Sequence, residues 1–288
     1  MIEFTGTIGT ANGSAFVRLG QTKVLTAIQS VVTVPTERAP KQGILGTPTQ
    51  HRLLLLAVDY LFCISCTLAE VNVNLGPIAS PYFRSGRTSD ESLTLSQFLT
   101  RSIVDSEALD LESLCIKPGK AVWSLKADVV CTDYSGNIED TSVLSLVAAL
   151  TNTLLPAPTL GSDGVVTVSP NIAKATPLPL QHIPLPLSFV LVESRLLVDP
   201  TAEETSLSSA HISIVSTVEG LICQMRCLCN DGHVSEELLQ QTFDLVREST
   251  QRHYDILQKS DNPRSLPGVH SPQNPGSSLP KLNTKQQK

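Results

Sequence analysis

The sequence predicts an α+β chain in which two strand-rich blocks are each closed by a helix. Three observations predict it. Residues 2–34 read as a strand meander broken at Asn12-Gly13 and Gly20-Gln21. Residues 121–133 alternate apolar and polar positions and run into an apolar helix over 138–155. Residues 164–228 hold a second set of short strand-like runs, and an amphipathic helix over 234–257 closes them.

Taken in order, Asn12-Gly13 reads as a type I′ hairpin turn, because both central residues of that turn need φ > 0. Strand runs Ser14 to Leu19 and Thr22 to Val34 follow, then a loop rich in proline and charge from Pro35 to Lys41. Thr88 with Glu91 has the capping-box spacing, and Leu95, Phe98, Leu99 and Ile103 recur at helical spacing, which predicts a helix over 89–105. Trp123, Leu125, Ala127, Val129 and Cys131 share one strand face, so Trp123 reads as core rather than as a platform for stacked bases. Tyr134-Ser135-Gly136-Asn137 supplies the turn into the second helix, which Pro156 and Pro158 are expected to end. Strands are expected over 164–168, 187–192, 195–198, 210–216 and 221–228, with the proline-rich Thr176 to Pro186 as an extended connector. Asn262 to Lys288 holds five prolines and no acid and reads as a flexible basic tail, the tail as a whole beginning near 258.

Charged residues make up 17% of the 288, against about 25% in an average soluble chain, so part of the surface is expected to lie against partners. The formal charge is −6, and the tail's four basic residues leave the rest at −10. That argues against gripping nucleic acid by bulk positive charge. Seven cysteines, an odd number, with no leader at Met1, point to a reducing compartment. The apolar run Leu53 to Leu68 is shorter than the roughly 18 residues that span a bilayer and contains Asp59, so no membrane association is expected.

Several side chains invite a chemical reading. Arg84 and Arg87, flanking Gly86, and Lys117 and Lys120, flanking Pro118-Gly119, are candidate RNA-phosphate contacts; a solvated pair or an ion pair with a neighbour explains each equally well. Cys223, Cys227, Cys229 and His233 have the composition of metal ligands, but on a strand face they read as small buried residues. Cys63 and Cys66 form a lone C-x-x-C with no second pair. No metal and no cofactor is expected. No Walker loop, H-E-x-x-H or Ser-His-Asp order stands out.

Three segments together resemble the ribonuclease PH-like ring subunits of the eukaryotic RNA exosome. They are GTIGTANGSAFVRLGQTKVLTAI at Gly6 to Ile28, FRSG at Phe83 to Gly86 with LSQFLTRSIVDSEALDLESLCIKPGKAVWSLKADVVCTDYSGN at Leu95 to Asn137, and PLSFVLVESRLLVDPTAEETSL at Pro186 to Leu207. The resemblance implies the ribonuclease PH fold, of the ribosomal protein S5 domain 2 type, over 1–257. It implies a hetero-hexameric ring of ribonuclease PH-like subunits around an RNA channel, S1/KH cap subunits, and a place in nucleus, nucleolus and cytoplasm.

It also locates a site. Active members hold phosphate with an arginine in a Gly-Gly-Thr-Arg-Thr-type turn; the matching turn here, Ser135 to Thr141, has no basic residue, and Glu139 and Asp140 are expected to repel phosphate. The family's acid pair falls on Asp199 and Thr205, so one carboxylate is lost, although Glu203 and Glu204 stand adjacent. Asp199 is thus a vestigial catalytic candidate, and a plainer reading has it capping the turn in V-D-P-T. The resemblance therefore implies a non-catalytic subunit; the alternative is a phosphate-dependent 3′-to-5′ exoribonuclease using Asp199 with Glu203 or Glu204. Two departures stand out. Family members carry a helical segment with an Arg-Pro-Asp-Gly-Arg-type motif before the first hairpin, where this chain starts. They also pass directly to the strand seen here as Val71 to Pro77, so Ile44 to Ala69 reads as inserted, either facing a partner or through an artefact of transcript assembly.

Overall fold

The computed structural model describes residues 2–34, 44–45, 71–83, 89–160, 166–168, 175–193, 195–229 and 234–259. The apolar run Leu53 to Leu68, Cys63, Cys66, Arg84, Arg87, Thr88, His233 and the tail from Asn262 lie outside them.

The first half is a sheet carrying two helices. Strands β1 (Ile2–Thr5), β2 (Gly13–Leu19) and β3 (Thr22–Thr33) form an antiparallel meander. β4 (Ile44–Leu45) and β5 (Val71–Leu75) precede α1 (Asp90–Asp105), and β6 (Cys115–Lys117) turns into β7 (Ala121–Asp133). The long β7 is the spine. Its one edge pairs with β3 from Val122 to Asp133, and β6, β4 and β5 share the other edge end to end.

Helix α2 (Ile138–Thr151) follows and lies across β2 and β3. It is buried nearly all round, which is why its sequence shows no polar face. Ser145, on its sheet side, meets the Thr26 hydroxyl at 2.7 Å, so a polar pair survives in the core by satisfying itself. The core of this half joins Val17, Ile28 and Leu125 of the sheet to Leu146 and Leu150 of α2 and to Leu99 and Ile103 of α1. Each such side chain, fully buried, contributes about 1.5–3 kcal/mol. Trp123 is in this core, as the alternation predicts.

The short strands β8 (Leu154–Leu155), β9 (Pro158–Leu160), β10 (Val166–Val168) and β11 (Thr176–Pro177) link the halves as two small hairpin-like pairs, β9 with β10 and β8 with β11. The second half contains β12 (Leu185–Val192), β13 (Arg195–Val198), α3 (Ala202–Leu207), β14 (Ala210–Ser216), β15 (Ile222–Cys229) and α4 (Glu236–Lys259). Its antiparallel sheet has the order β13-β12-β14-β15. One face, with Leu187, Phe189, Ile212 and Ile214, packs on Val246 of α4; the other faces α2, with Ser188 and Ser213 reaching its first turn.

Four expectations need correction. Asn12-Gly13 is not a hairpin turn. Residues 6–12 join β1 to β2, and Gly13 is the first residue of β2, opposite Ile28. Asn12 is a hub: its Oδ1 accepts from Ser30 N at 2.8 Å and its carbonyl from Leu154 N at 2.9 Å. Gly13 is needed for space, because a Cβ there would stand 2.7 Å from the Ala149 carbonyl oxygen. The tight turn is Gly20-Gln21, where Gly20 has φ +59° and Leu19 pairs Thr22. Second, Ser89 caps α1, accepting from Ser92 N at 3.1 Å, while Glu91 accepts from the Tyr82 hydroxyl. Third, α2 ends at Thr151, before the prolines, because the next residues turn to the meander: Asn152 Nδ2 donates to the Ser14 carbonyl. Fourth, Cys227 and Cys229 are exposed, not buried, because β15 is an edge strand that α4 does not cover. Ile44 and Leu45, where the segment read as inserted begins, pair with Ser124 and Leu125 of β7.

Candidate functional site

A cleft of about 790 Å³ opens where the two halves meet. Its walls are the 80–83 turn with Tyr82, the first turn of α1, the β7–α2 turn with Asn137, Thr205 of α3, and His211 and Arg226 from β14 and β15. The first turn of α2 is its floor, and three consecutive features of the sequence build it. Gly136 has φ +117° and bridges Thr201, an approach so close that a Cβ would meet the Ala202 amide nitrogen at 2.4 Å. Asn137 sits at φ +41°, a left-handed conformation that asparagine tolerates, and caps α2. Glu139 and Asp140 follow where the helix dipole favours acids.

Those two carboxylates reach different strands of the second sheet. Glu139 pairs with Arg226 of β15 and accepts from the Ser213 hydroxyl of β14. Arg226 also lies over the Phe98 ring, 5.6 Å from its centroid. Asp140 is buried and accepts from the Ser188 amide at 2.9 Å, the Ser188 hydroxyl at 2.6 Å and Asn137 Nδ2 at 2.9 Å. Burial pushes its carboxyl up to about 7 despite those hydrogen bonds. Desolvation likewise lowers His211.

The expectation that Glu139 and Asp140 repel phosphate is therefore replaced by a different closure. Glu139 is matched by a guanidinium, and Asp140 points into the protein. Arg226, the guanidinium that lines this cleft, is already paired with Glu139, and the Asp140 amide donates to Asn137 Oδ1.

Asp199, with φ +55°, is not among the residues lining the cleft, but accepts at 2.6 Å from Nδ2 of Asn137, which lines it. The capping reading for Asp199 is thus wrong: Thr201 caps α3, in a reciprocal box in which Glu204 Oε2 accepts from the Thr201 amide at 2.8 Å. That box holds the Glu204 carboxyl below its ordinary value and occupies it. Thr205 lines the cleft, and its hydroxyl donates to the Thr201 carbonyl. Lys117 and Lys120 sit in the β6–β7 turn and are not among the residues lining the cleft. Arg84 and Arg87 fall outside the described residues.

The residue that sequence reasoning missed is Arg226. Its signal was faint but physical: it is the single charge in the run Ile222–Cys229, and the first turn of a buried helix holds two acids, one of which needs a cation. Ser188, the lone polar residue of β12, and Ser213, set between Ile212 and Ile214 in β14, carried the same message. Among the described residues no group of three or more His, Cys, Asp or Glu is placed to hold a metal, and no helix is long and apolar enough to cross a membrane.

Comparison with known proteins places this geometry. Residues 1–156 match the model of domain 1 of the 3′ exoribonuclease family, RNase PH, and residues 182–248 match that of domain 2. The exosome complex component Rrp42 of Methanothermobacter thermautotrophicus is 32% identical over 259 residues, covering 90% of this chain and 85% of the relative. That of Methanopyrus kandleri is 29% identical over 246 residues, covering 85% and 82%. Among solved structures, a chain of the Archaeoglobus fulgidus exosome with RNA bound to the active site superposes with a TM-score of 0.72 at 26% identity, covering 89% of this chain and 87% of that one. A chain of an archaeal exosome core gives 0.68 at 24%, covering 90% and 87%, which speaks to the fold. An α+β arrangement of two sheet-and-helix halves that meet at a cleft, matched to both domain models and to relatives along most of its length, has one reading: the chain belongs to the 3′ exoribonuclease (RNase PH) family, as a homologue of the archaeal Rrp42 exosome components.

Proposed function

We propose that this chain is a non-catalytic ring subunit of the RNA exosome, of the eukaryotic type represented by ribosomal RNA-processing protein 43. In this reading it occupies one place in a hetero-hexameric ring of ribonuclease PH-like subunits, supports S1/KH cap subunits, and contributes to 3′-to-5′ RNA processing and degradation, including ribosomal RNA maturation and mRNA decay, in nucleus, nucleolus and cytoplasm. The solved relatives are exosome assemblies, one with RNA bound to the active site, and this supports a ring role. The low share of charge supports burial of surface against neighbours. RNA contact through Arg84, Arg87, Lys117 and Lys120 belongs to the same reading.

One observation carries the non-catalytic part. Phosphorolysis needs a cation free to hold phosphate as the nucleophile, whereas Arg226 is paired with Glu139, whose carboxylate also accepts from the Ser213 hydroxyl. The test is to incubate the purified chain with single-stranded RNA, phosphate and Mg²⁺. No nucleoside diphosphate release is expected, and none from Glu139→Gln, which frees Arg226 without restoring the missing acid at Thr205. Release that disappears on Asp199→Asn overturns the reading in favour of the exoribonuclease. Co-expression with the other ribonuclease PH-like subunits tests the ring: co-purification is expected, and its failure sinks the scaffold role.

A further inference from the structure

A pair of thiols outside the cleft has a geometry of its own. Cys227 and Cys229 alternate along β15, so their side chains stand on one face of the sheet. Their partners across the ladder are Ile212 and Ala210 of β14. Helix α4 packs on this face over β12 and β14, and both cysteines beyond it are exposed. The two sulfurs lie 3.6 Å apart. Two thiolates on one tetrahedral ion, with metal–sulfur bonds of about 2.3 Å, stand roughly 3.7 Å from each other. The strand register puts both thiols on one face, and the sulfur separation matches what a chelate requires. Arg226, the nearby cation, points to the opposite face of the strand and is paired with Glu139, so it does not oppose a positive ion here.

We infer that Cys227 and Cys229 form a bidentate thiolate site for a soft divalent d10 cation of the zinc and cadmium class, with two coordination positions open to outside ligands. Binding forms two metal–sulfur bonds and breaks two S–H bonds, releasing two protons, and no electron is transferred. Thiolate ligands select such ions over hard cations like Mg²⁺.

The test uses the full chain, reduced, with Cys63→Ser and Cys66→Ser so that the other close pair cannot contribute. Cadmium ion is titrated in, reading the sulfur-to-cadmium charge-transfer absorbance in the ultraviolet and the protons released. One ion and two protons per chain are expected. Each of Cys227→Ser and Cys229→Ser should weaken binding at least tenfold, and Cys115→Ser should leave it unchanged. Both positions are exposed, so the serine variants should melt with the parent in the absence of metal. A second readout needs no variant at the pair: bound cadmium should protect Cys227 and Cys229 from iodoacetamide, scored by peptide mass. No absorbance band in the parent, cadmium affinity undiminished in either single variant, or alkylation undiminished by cadmium overturns the inference.

Discussion

β4 and β5 lie in line along one edge of β7, both parallel to it, with Leu45 opposite Leu125 and Val71 opposite Ala127. One ladder position, opposite Lys126, separates them. Deleting residues 46–69 puts Glu70 at that position, in register, and joins β4 to β5 as one strand without moving either. The new residue's carboxylate would stand across from the Lys126 ammonium. The deletion removes a 24-residue connection whose closure costs entropy of about (3/2)RT ln n, or at most about 3 kcal/mol. For a chain of this size that is a rise in Tm of about 6–12 °C. It also removes the Leu53 to Leu68 run, so solubility should rise. Thermal melting by circular dichroism, with urea unfolding beside it, reads the effect. A deletion variant that melts below the parent, or that is insoluble, refutes the reasoning and makes 46–69 part of the packed fold.

Asp140 predicts a pH effect. Its folded carboxyl is raised to about 7 from 3.8, so the folded state binds more protons between those values, and stability should fall as pH rises from about 4 to 7. The magnitude is a few kcal/mol, and Asp140→Asn should flatten that slope in urea midpoints measured across the window; an unchanged slope would show that Asp140 is not its source. Glycine positions should separate by mechanism: Gly136→Ala should cost about 2–4 kcal/mol, combining a positive φ with backbone overlap at Ala202, whereas Gly20→Ala, with open space around it, should cost about 1 kcal/mol. Equal losses in the two melting curves would refute the distinction. Glu139→Gln should cost about 2 kcal/mol by leaving the half-buried Arg226 without its counter-charge; a neutral result would mean that the pair is not stabilising.

How much was legible follows from how local each signal is. The β7 alternation, the apolar α2 and the amphipathic α4 are written in consecutive residues, and all three elements form there, α2 ending four residues short of its expected end. Asn12-Gly13 failed because a local turn preference lost to tertiary demands: the Ala149 carbonyl needs room at Gly13, and Leu154 needs an acceptor at Asn12. The Pro156 stop failed for the same reason, since Asn152 leaves the helix to reach Ser14. Asp199 was found, yet its partner was not, because Asn137 lies 62 residues away. The Arg226–Glu139 pair spans 87 residues and depends on which face of an edge strand turns inward. No spacing rule reports that; only the general need of a buried charge for a partner does.

The first turn of α2 explains why scaffolding and phosphate binding compete in one place. A helix start with a free cation nearby is an anion site by default. Here Glu139 and Asp140, adjacent in sequence, diverge to β15 with β14 and to β12, and so fix three strands of the second sheet to the helix that fills the first half. The Glu139–Arg226 pair that helps secure the halves also engages the guanidinium that lines the cleft. Asn137, which lines it too, spends one amide on Asp140 and Asp199 together. A chain that acts by holding its shape within a ring gains from that exchange, and a catalytic one would lose its nucleophile's binding site. Rigidity at this turn and the proposed lack of turnover are thus two consequences of the same side chains.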